Sequence, residues 1–356
     1  MLTPRDKNTL LEAAVAAPSA DNSQPWLYRW MGDALDLWID ARRAGKPSDA
    51  RYVLSDLGLG ACIENLCIQA RALGYTDKVQ YLPDEEQDPL WVARLEFSPS
   101  NKEPPDTALA QAIPRRCTDR RFPWKGPVEE ALRQALAAEA SQLPGARLVW
   151  LDPGSQQRHA VLKALQTAES LRFQSRRLHH ELFSSICFSA GRKGACPEGL
   201  SPRSLGIEAP VWPFFKALRH WPLMRAFNAI GGARLMGLRS AVLPVRLSPG
   251  LALLCIEGED RPAILAAGRA LERVWLRATA AGLSIQPYAA PGVLGLGFVE
   301  VEARFQDRLG LIRQALEQAC SGGCGLLLLR MGRAAGLNKN RGARRPLSSF
   351  EWRGGE

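Results

Sequence analysis

The sequence predicts an α+β fold of two halves that share one plan of helices and strands. Three observations lead to this prediction. Helical and strand-like periodicities alternate along the 356 residues. One helical segment, residues 60–75, recurs as residues 268–283. A basic stretch, residues 191–246, interrupts the second half, and its glycines and prolines would allow hinging.

The recurring segment is the main indication of two halves. Residues 60–75 align without a gap on residues 268–283, and apolar residues return at helical spacing in both copies. Each copy ends at a glycine that suits a left-handed helix cap. Chance similarity between two amphipathic helices is the alternative explanation. Five aligned positions are identical: Gly60 and Gly268, Glu64 and Glu272, Ala70 and Ala278, Ala72 and Ala280, and Gly74 and Gly282.

The first half is expected to comprise residues 1–107. A short apolar helix opens it, a β-hairpin turned at Gly32-Asp33 follows, and the recurring helix leads to a further strand. A connection rich in proline and polar residues then separates the halves. The predicted elements are a helix at 10–17, strands at 27–30 and 35–39, the helix at 60–74 and a strand at 91–97.

The second half is expected to comprise residues 108–356, with residues 191–246 as an insertion. Its strands are apolar runs of five to seven residues, and its helices carry apolar residues at helical spacing. The predicted helices lie near 128–140, between 155 and 188, at 268–282 and at 309–320; the predicted strands lie at 147–151, 251–256, 297–303 and 325–331.

Composition and charge narrow the class of protein. A hydrophobic fraction of 46% with 23% charged residues is typical of a soluble globular protein. The longest apolar runs fall far short of the ~20 residues of a membrane-spanning helix, and the polar N-terminus does not resemble a secretion signal. We therefore expect a cytoplasmic protein with no membrane partner.

The net charge of +10 is unevenly distributed. Residues 172–246 contain twelve Lys or Arg against three acidic residues, Glu181, Glu198 and Glu208. Such a region either attracts an anionic ligand or an acidic partner, or is simply a solvated basic surface. No nucleic-acid-binding motif accompanies it, so no nucleic-acid partner is expected.

Neither cysteines nor histidines indicate a metal centre. The eight cysteines are too few for a disulfide scaffold, and Cys320-Ser-Gly-Gly-Cys324 lacks the second pair of ligands that a zinc site needs. Reduced thiols in a glycine-rich turn are the favoured interpretation. The four histidines lie outside nucleophile and zinc motifs.

Two polar segments are candidates for ligand binding. Residues 17–26, APSADNSQPW, follow the first helix as a turn-rich loop that offers fixed donors and acceptors beside an apolar Pro-Trp pair. Residues 115–122, RRCTDRRF, contain four arginines whose forked donors suit a phosphate, and Arg344 and Arg345 add to them near the C-terminus. An ordinary helix-to-strand connection and two solvated basic runs are the alternatives. Together, the segments indicate a phosphorylated planar cofactor.

On these motifs the whole chain resembles the nitroreductase superfamily, in particular its long single-chain, Acg-like branch. The resemblance implies a nitroreductase-like fold in which two halves, each with a central, mostly antiparallel sheet flanked by helices, are fused, and in which residues 191–246 form a helical lid over the flavin. One chain, as a monomer or a loose homodimer, would then hold a complete FMN site. The landmarks in order are Pro18-Ser19 with Asn22 to Trp26, Arg51, Leu82-Pro83-Asp84, Arg116 to Phe122, Glu181-Leu182, Gly199-Leu200, Leu205-Gly206, Gly268, Gln286-Pro287, Leu329 to Gly332, and Arg344-Arg345-Pro346.

The resemblance also implies roles for individual residues. The family's Arg-x-Ser/Thr-x-Lys/Arg element, which binds the FMN phosphate and ring edge, matches residues 116–120, and residues 287–289 would approach the flavin N5. Arg120 would stabilise anionic reduced flavin, and no catalytic acid or base is required, although Tyr288 and Trp26 are candidates to line the ring. The residues assigned to FMN are Pro18, Ser19, Asn22, Gln24, Arg116, Thr118, Arg120, Pro287, Tyr288, Ala289, Arg344 and Arg345.

This chain departs from the family pattern at two positions. Cys117 stands where many relatives have His, and Gln286-Pro287-Tyr288-Ala289 replaces the commoner Pro-x-Glu-Gly. The second change puts classical nitroreduction in doubt.

Three functions follow from the resemblance. The first is an FMN-dependent oxidoreductase that passes hydride from NAD(P)H through the flavin to an unknown small-molecule acceptor, with anionic compounds favoured by the basic lid. The second is a protein that sequesters FMN under a closed lid with little turnover. The third is a flavin-dependent enzyme that modifies a peptide or a cofactor precursor.

Overall fold

The computed structural model describes residues 1–101, 107–190, 196–336, 338 and 342–354. Residues 191–195 of the predicted lid and residues 102–106 of the predicted connection between the halves lie outside the described residues. No described helix has the length and apolar character that a membrane crossing requires.

Two four-stranded antiparallel sheets form the framework and confirm the predicted α+β class. Their strand orders are β1-β2-β4-β3 and β5-β6-β8-β7, so the second sheet repeats the order of the first. The β1–β2 hairpin turns at Gly32, whose φ of 63° suits glycine. The strands are β1 (Trp26–Met31), β2 (Ala34–Ile39), β3 (Tyr75–Tyr81), β4 (Trp91–Pro99), β5 (Ala146–Trp150), β6 (Gly250–Ile256), β7 (Ser284–Tyr288) and β8 (Cys324–Gly332).

Helices pack on both sheets, and four of the described α-helices lie within residues 191–246, for which we keep the name lid. The described α-helices are α1 (Pro4–Val15), α2 (Val53–Ala72), α3 (Ala108–Ala112), α4 (Glu130–Ala140), α5 (Gln156–Gln174), α6 (Arg176–Ser184), α7 (Trp212–Ala217), α8 (Trp221–Ala229), α9 (Gly232–Gly237), α10 (Leu243–Arg246), α11 (Arg261–Ala280), α12 (Ala290–Gly295) and α13 (Gln306–Cys320). Short 3₁₀ segments occur at Ala20–Asn22, Pro47–Tyr52, Phe188–Ala190, Ala303–Phe305 and Leu347–Phe350, and a π-helical turn at Leu238–Val242.

The two recurring helices, α2 and α11, cross each other at the centre of the molecule. Gly60 and Gly268, which are equivalent in the repeat, meet at the crossing: a Cβ on Gly60 would lie 2.2 Å from the carbonyl oxygen of Leu265, and one on Gly268 would lie 2.2 Å from that of Leu57. Because backbone blocks both positions, only glycine permits this approach. The repeat therefore marks a true structural equivalence between the halves.

The lid belongs to the connection between β5 and β6, which is equivalent in the second half to the β1–β2 hairpin turn of the first half. In the first half β1 passes to β2 through a tight turn, whereas in the second half β5 and β6 are separated by α5 to α10. The lid shares an apolar cluster with α6, in which Phe183 of α6 and Phe215 and Met224 of the lid are buried. The segment between β5 and β6 is thus a packed helical unit.

The C-terminal segment returns to the first sheet. Phe350 is fully buried against Trp26, with ring centroids 6.3 Å apart, and Glu351 bridges to Tyr28. The division of the chain at residues 107 and 108 stays a prediction.

Three expectations from the sequence are corrected. The predicted strand at 297–303 is absent from the described structure, where residues 297–302 have no regular conformation. The edge strands β3 and β7 were not predicted. The expected reduced thiol at Cys320 is instead disulfide-bonded to Cys255, which joins the end of α13 to β6, whereas Cys324 is free.

Candidate functional site

A cavity of about 620 Å³ lies beneath the lid, against the two central helices and β7. Leu57 and Gly58 of α2 and Trp275 of α11 form part of its wall, while Phe214 and Phe227 of the lid cover it. Aromatic and aliphatic side chains predominate, as in sites that bind planar ligands. Seven of the predicted site residues line the cavity: Pro18, Ser19, Thr118, Arg120, Pro287, Tyr288 and Ala289.

The loop after α1 is held in an unusual backbone conformation. Asp21, Asn22 and Gln24 all have positive φ, at 51°, 57° and 51°, a region that non-glycine residues occupy only when their surroundings fix them. The Ser19 hydroxyl accepts a hydrogen bond from the Gln24 backbone N–H at 3.0 Å and closes the loop. Ser19 is thereby fixed at the cavity wall.

Asn22 and Gln24 bind other segments of the protein. The Gln24 side chain is fully buried; its Nε2 donates to the Pro197 carbonyl at 2.7 Å, and its Oε1 accepts from the Arg345 N–H at 3.0 Å. The Asn22 Nδ2 donates to the Ala343 carbonyl at 3.1 Å. These side chains join the loop to the start of the lid and to the C-terminal segment, and their contact with a ligand stays a prediction.

Arg116 and Arg344 converge at the C-terminal end of α1. Arg116 Nη2 donates to the Ala16 carbonyl at 2.9 Å, and Arg344 Nη2 donates to the same oxygen at 3.2 Å. Arg116 is buried, stacks 4.4 Å from the Trp275 ring and pairs with Glu272, with 3.2 Å between Nε and Oε1. Helix C-terminal carbonyls carry partial negative charge, so they stabilise both guanidinium groups here.

Glu272 is the acidic member of this cluster. It is fully buried, and burial raises its pKa to about 7, while the Arg116 and Arg344 charges oppose that rise. Near pH 7 the Glu272 carboxyl therefore exists in both its protonated and its ionised form, and the ionised form partly compensates the charge of the two arginines.

Residues 116–120 run beside β7. The Asp119 N–H donates to the Ile285 carbonyl at 3.0 Å, which brings Arg120 next to Tyr288. Arg120 donates to the Ser204 carbonyl of the lid at 3.0 Å, and burial lowers its pKa. Burial raises the pKa of Tyr288, so its hydroxyl stays protonated and lies 3.5 Å from the Ser240 carbonyl. The cavity floor therefore presents one cationic donor and one neutral hydroxyl.

The remaining predicted residues lie behind the cavity wall. Trp26 is buried under the loop, with its ring 3.6 Å from where a Cβ on Gly58 would stand. Arg345 stacks 4.3 Å from the Phe350 ring and donates to the Gln24 carbonyl at 2.8 Å. Both residues support the loop from below.

Arg330 lies within the family landmark Leu329 to Gly332, but the sequence assigned it no role; in the structure it organises this end of the second sheet. Its side chain is fully buried in β8 and stacks 3.8 Å from the Trp124 ring. It donates to Gln286 Oε1 at 2.8 Å, to the Ser248 hydroxyl at 3.0 Å and to the Arg121 carbonyl at 2.8 Å. A lone arginine within the run LLLLRM was the available signal, because a charge in a buried strand requires partners.

A second unpredicted contact joins the lid side of the cavity to the first half. Glu181 of α6 accepts hydrogen bonds from the backbone N–H of Ser48, at 2.9 Å, and from the Ser48 hydroxyl. Burial raises the pKa of Glu181. Both residues line the cavity.

The lid's positive charge lies mostly outside the cavity. Of the six Lys and Arg between residues 209 and 249, Arg239 lines the cavity, and it pairs with Glu208. The other charged residues of the cavity wall are Asp21, Arg120, Glu169, Arg172 and Glu181.

Comparison with known proteins identifies relatives along most of the chain. "Putative NAD(P)H nitroreductase Rv3131" of Mycobacterium tuberculosis is 29% identical over 80% of this chain and 76% of its own length. "Putative NAD(P)H nitroreductase acg" of the same organism is 31% identical over 51% of this chain and 54% of its own length. No protein-family model matches the chain. These relatives confirm the resemblance to the nitroreductase superfamily and its Acg-like members.

Among solved structures, the FMN-dependent nitroreductase NfnB from Mycobacterium smegmatis, in complex with NADPH, aligns with 68% of this chain and 97% of its own. The identity is 18% and the TM-score 0.37.

Proposed function

We propose that this protein is an FMN-dependent oxidoreductase that takes hydride from NAD(P)H and passes it to a small-molecule acceptor. The observation that carries the proposal is the convergence of Arg116 and Arg344 on one carbonyl oxygen, behind Trp275, which Arg116 stacks against and which lines a mostly apolar cavity. Two guanidinium groups suit a phosphate, and the cavity's volume falls within the roughly 300–1,000 Å³ of cofactor and ligand sites. The curated relatives named as NAD(P)H nitroreductases support the same assignment.

The residues present fit FMN in two respects. Arg116 and Arg344 would hold the phosphate, because their donors already point to a shared acceptor, and Ser19 and Thr118 would offer hydroxyls along the path to the ring. The apolar wall formed by Leu57 and Trp275 would exclude water from one side of a planar group. When bound, FMN would supply the hydride chemistry itself.

In the reaction, the residues of this chain would bind and orient the flavin and adjust its reduction potential. Arg120 would place a positive charge near the flavin ring and stabilise the anionic reduced form of the flavin, since electrostatic interactions are stronger at a buried site. Tyr288, with its raised pKa, would donate a hydrogen bond without losing its proton. The lid would exclude water while hydride moves.

The test of cofactor binding is titration of the purified protein with FMN, followed by flavin absorbance and fluorescence. We expect Arg116→Ala to weaken affinity roughly 10- to 150-fold, the equivalent of about 1.5–3 kcal/mol for a charge-assisted contact. The matched control is Arg115→Ala, the same charge change on an exposed neighbour. Because Arg116→Ala leaves Glu272 buried and unpaired, the double variant R116A/E272Q is included. Unchanged affinity in both Arg116 variants would refute the phosphate assignment.

One observation favours FMN sequestration as the second candidate. The lid is tied to the first half at its entrance: the Gln24 side chain donates to the Pro197 carbonyl, and Arg43 pairs with Glu198 at 3.0 Å. A closed lid would retain flavin and restrict donors. Anaerobic addition of NADPH distinguishes the two, because an oxidoreductase bleaches the flavin band at once and a sequestering protein does not.

We also propose that one chain forms a complete site. The loop from the first half and the 116–120 element from the second reach the same cavity within one chain, which supports this proposal. We propose, from the basic exterior of the lid, a preference for anionic donors such as NADPH, because on the cavity wall Arg120, Arg172 and Arg239 are matched by Asp21, Glu169, Glu181 and Glu208. Salt dependence of the reduction rate tests that preference.

A further inference from the structure

Exposed large apolar side chains concentrate on one part of the molecule. Among the described residues, those outside residues 211–247 are Met1, Met31 and Leu311. Of the others, Val211, Phe214 and Leu235 line the cavity, and the remaining five form what we call the outer lid face: Leu223, Ile230, Leu238, Leu243 and Leu247. A clustered apolar surface of this kind marks an interaction site, whereas scattered apolar residues do not.

Helix α8 shows how the outer lid face is built. Met224 is fully buried, and Trp221 and Phe227 are partly buried against the lid core. On the opposite side of the helix, Leu223 is 51% exposed and Ile230, just after its end, is 82% exposed. Helical spacing places further apolar residues on this outer side; they are Pro222, Ala226 and Ala229, all exposed. The helix is therefore apolar on both sides, with only its inner side packed within the described protein.

The charges around this face have one sign. Residues 209–249 contain six Lys or Arg and no Asp or Glu. None of the five exposed ones makes an ion pair within the part of the chain that the structure describes, and Arg219 has only His220 as a side-chain hydrogen-bond partner there. They are Lys216, Arg219, Arg225, Arg234 and Arg246. The apolar face is thus surrounded by unneutralised positive charge.

We infer, contrary to the absence of a membrane partner expected from the sequence, that the outer lid face docks the protein on the surface of a bilayer rich in anionic phospholipids. Short helices lying in a membrane interface insert apolar side chains while Lys and Arg reach the headgroups, and this is the arrangement observed. A second copy of the chain fits less well, because a symmetric contact through this face would oppose positive charge to positive charge. An acidic protein would also match the charge, and the experiment below distinguishes it from a bilayer.

The position of the cavity adds a consequence. Phe214 and Leu235 both line the cavity and are about half exposed, at 50% and 57%. Docking through the outer lid face therefore places the lid-covered side of the cavity at the bilayer, where amphipathic compounds partition. This inference does not depend on FMN binding.

The experiment is co-sedimentation of the purified full-length protein with vesicles of phosphatidylcholine alone and of equal parts phosphatidylcholine and phosphatidylglycerol. We expect binding to the anionic vesicles that weakens with salt, and little binding to the neutral ones. The variant L223D/I230D should bind at least roughly tenfold more weakly, since it removes two of the inserted side chains. The variant R225E/R234E should lose roughly tenfold or more through charge reversal.

Two matched controls share the chemistry but lie elsewhere. Leu311→Asp alters a side chain that is 63% exposed on α13, and Arg5→Glu reverses an exposed charge on α1; both should bind like the unaltered protein. Because all substituted residues are exposed, thermal unfolding should be unchanged.

Absence of sedimentation with either vesicle, or equal binding to both, would overturn the inference. So would equal weakening by Leu311→Asp. A dimer in solution that L223D/I230D dissociates would assign the face to a second copy instead, and tight binding to an acidic polypeptide without binding to vesicles would assign it to a protein partner.

Discussion

Replacing Gly268 with alanine is expected to force the two central helices apart. The new Cβ would stand 2.2 Å from the Leu57 carbonyl oxygen and 3.0 Å from the Gly60 Cα. Ordinary contact begins at 3.4 Å, so the backbones must separate by about 1.2 Å at this point. Both obstacles are main-chain atoms, which cannot rotate away. Overpacking of this kind costs about 1–3 kcal/mol of the free energy of unfolding.

A control on another helix isolates the clash from helix propensity. Gly310 lies within α13 and has no atom within 4 Å of where its Cβ would stand. Gly310→Ala should therefore stabilise the protein by roughly 0.8–1.0 kcal/mol. Both glycines lie within helices, so the gain in helix propensity cancels and the crossing predicts a difference of about 1–3 kcal/mol between the two variants. Urea unfolding followed by circular dichroism measures it.

The crossing also predicts coupling between its two glycines. Once Gly268→Ala has separated the helices, adding Gly60→Ala should cost clearly less than it does alone, because both clashes occur at the same contact. Since Trp275 of α11 lines the cavity, flavin affinity should fall in parallel. If Gly268→Ala matched Gly310→Ala in stability, the inferred close contact of the repeat helices would be wrong.

Two further predictions concern buried carboxylates. Glu64→Gln should lower the free energy of unfolding by about 3–5 kcal/mol, since it leaves Arg269 and Arg273 without their buried anionic partner. As a control, Glu300→Gln breaks an exposed ion pair and should lower the free energy of unfolding by at most about 1 kcal/mol. Chemical unfolding of the two variants measures the difference. For Glu272, whose pKa rises from 4.5 to about 7, the folded state binds the proton more tightly, so stability should fall by about 3 kcal/mol as pH rises from 4.5 to 7. Glu272→Gln should lack this decline, and identical pH profiles of unfolding for the two proteins would contradict the burial of an ionisable carboxyl.

The sequence predicted the regular apolar elements well and the sheet edges poorly. The helix at 60–74 and the strand at 251–256 are buried along most of their length, so their patterns were strong. Strand β7 contains Pro287, which an edge strand tolerates but which conceals the strand in a sequence pattern. Residues 297–303 alternate apolar and polar as a strand would, yet Val299 is buried as part of the turn leading into α13.

For the candidate site, residue types could be predicted but their partners could not. The motifs located Ser19, Thr118 and Arg120 at the cavity because they lie on short segments fixed by the fold. The partners of Arg116, by contrast, depend on α1 and α11, which are distant in sequence. A single sequence carries no information on such long-range pairing.

The equivalent glutamates of the repeat bind different partners in the two halves. Glu272 of α11 pairs with Arg116, with 3.2 Å between Oε1 and Nε. Glu64 of α2, its counterpart, accepts hydrogen bonds from both Arg269 and Arg273 at 2.7 Å, and Glu139 completes that network by binding Arg273. The same residue of the repeat therefore joins the two central helices in one half, whereas in the other half it holds an arginine of the 116–120 element.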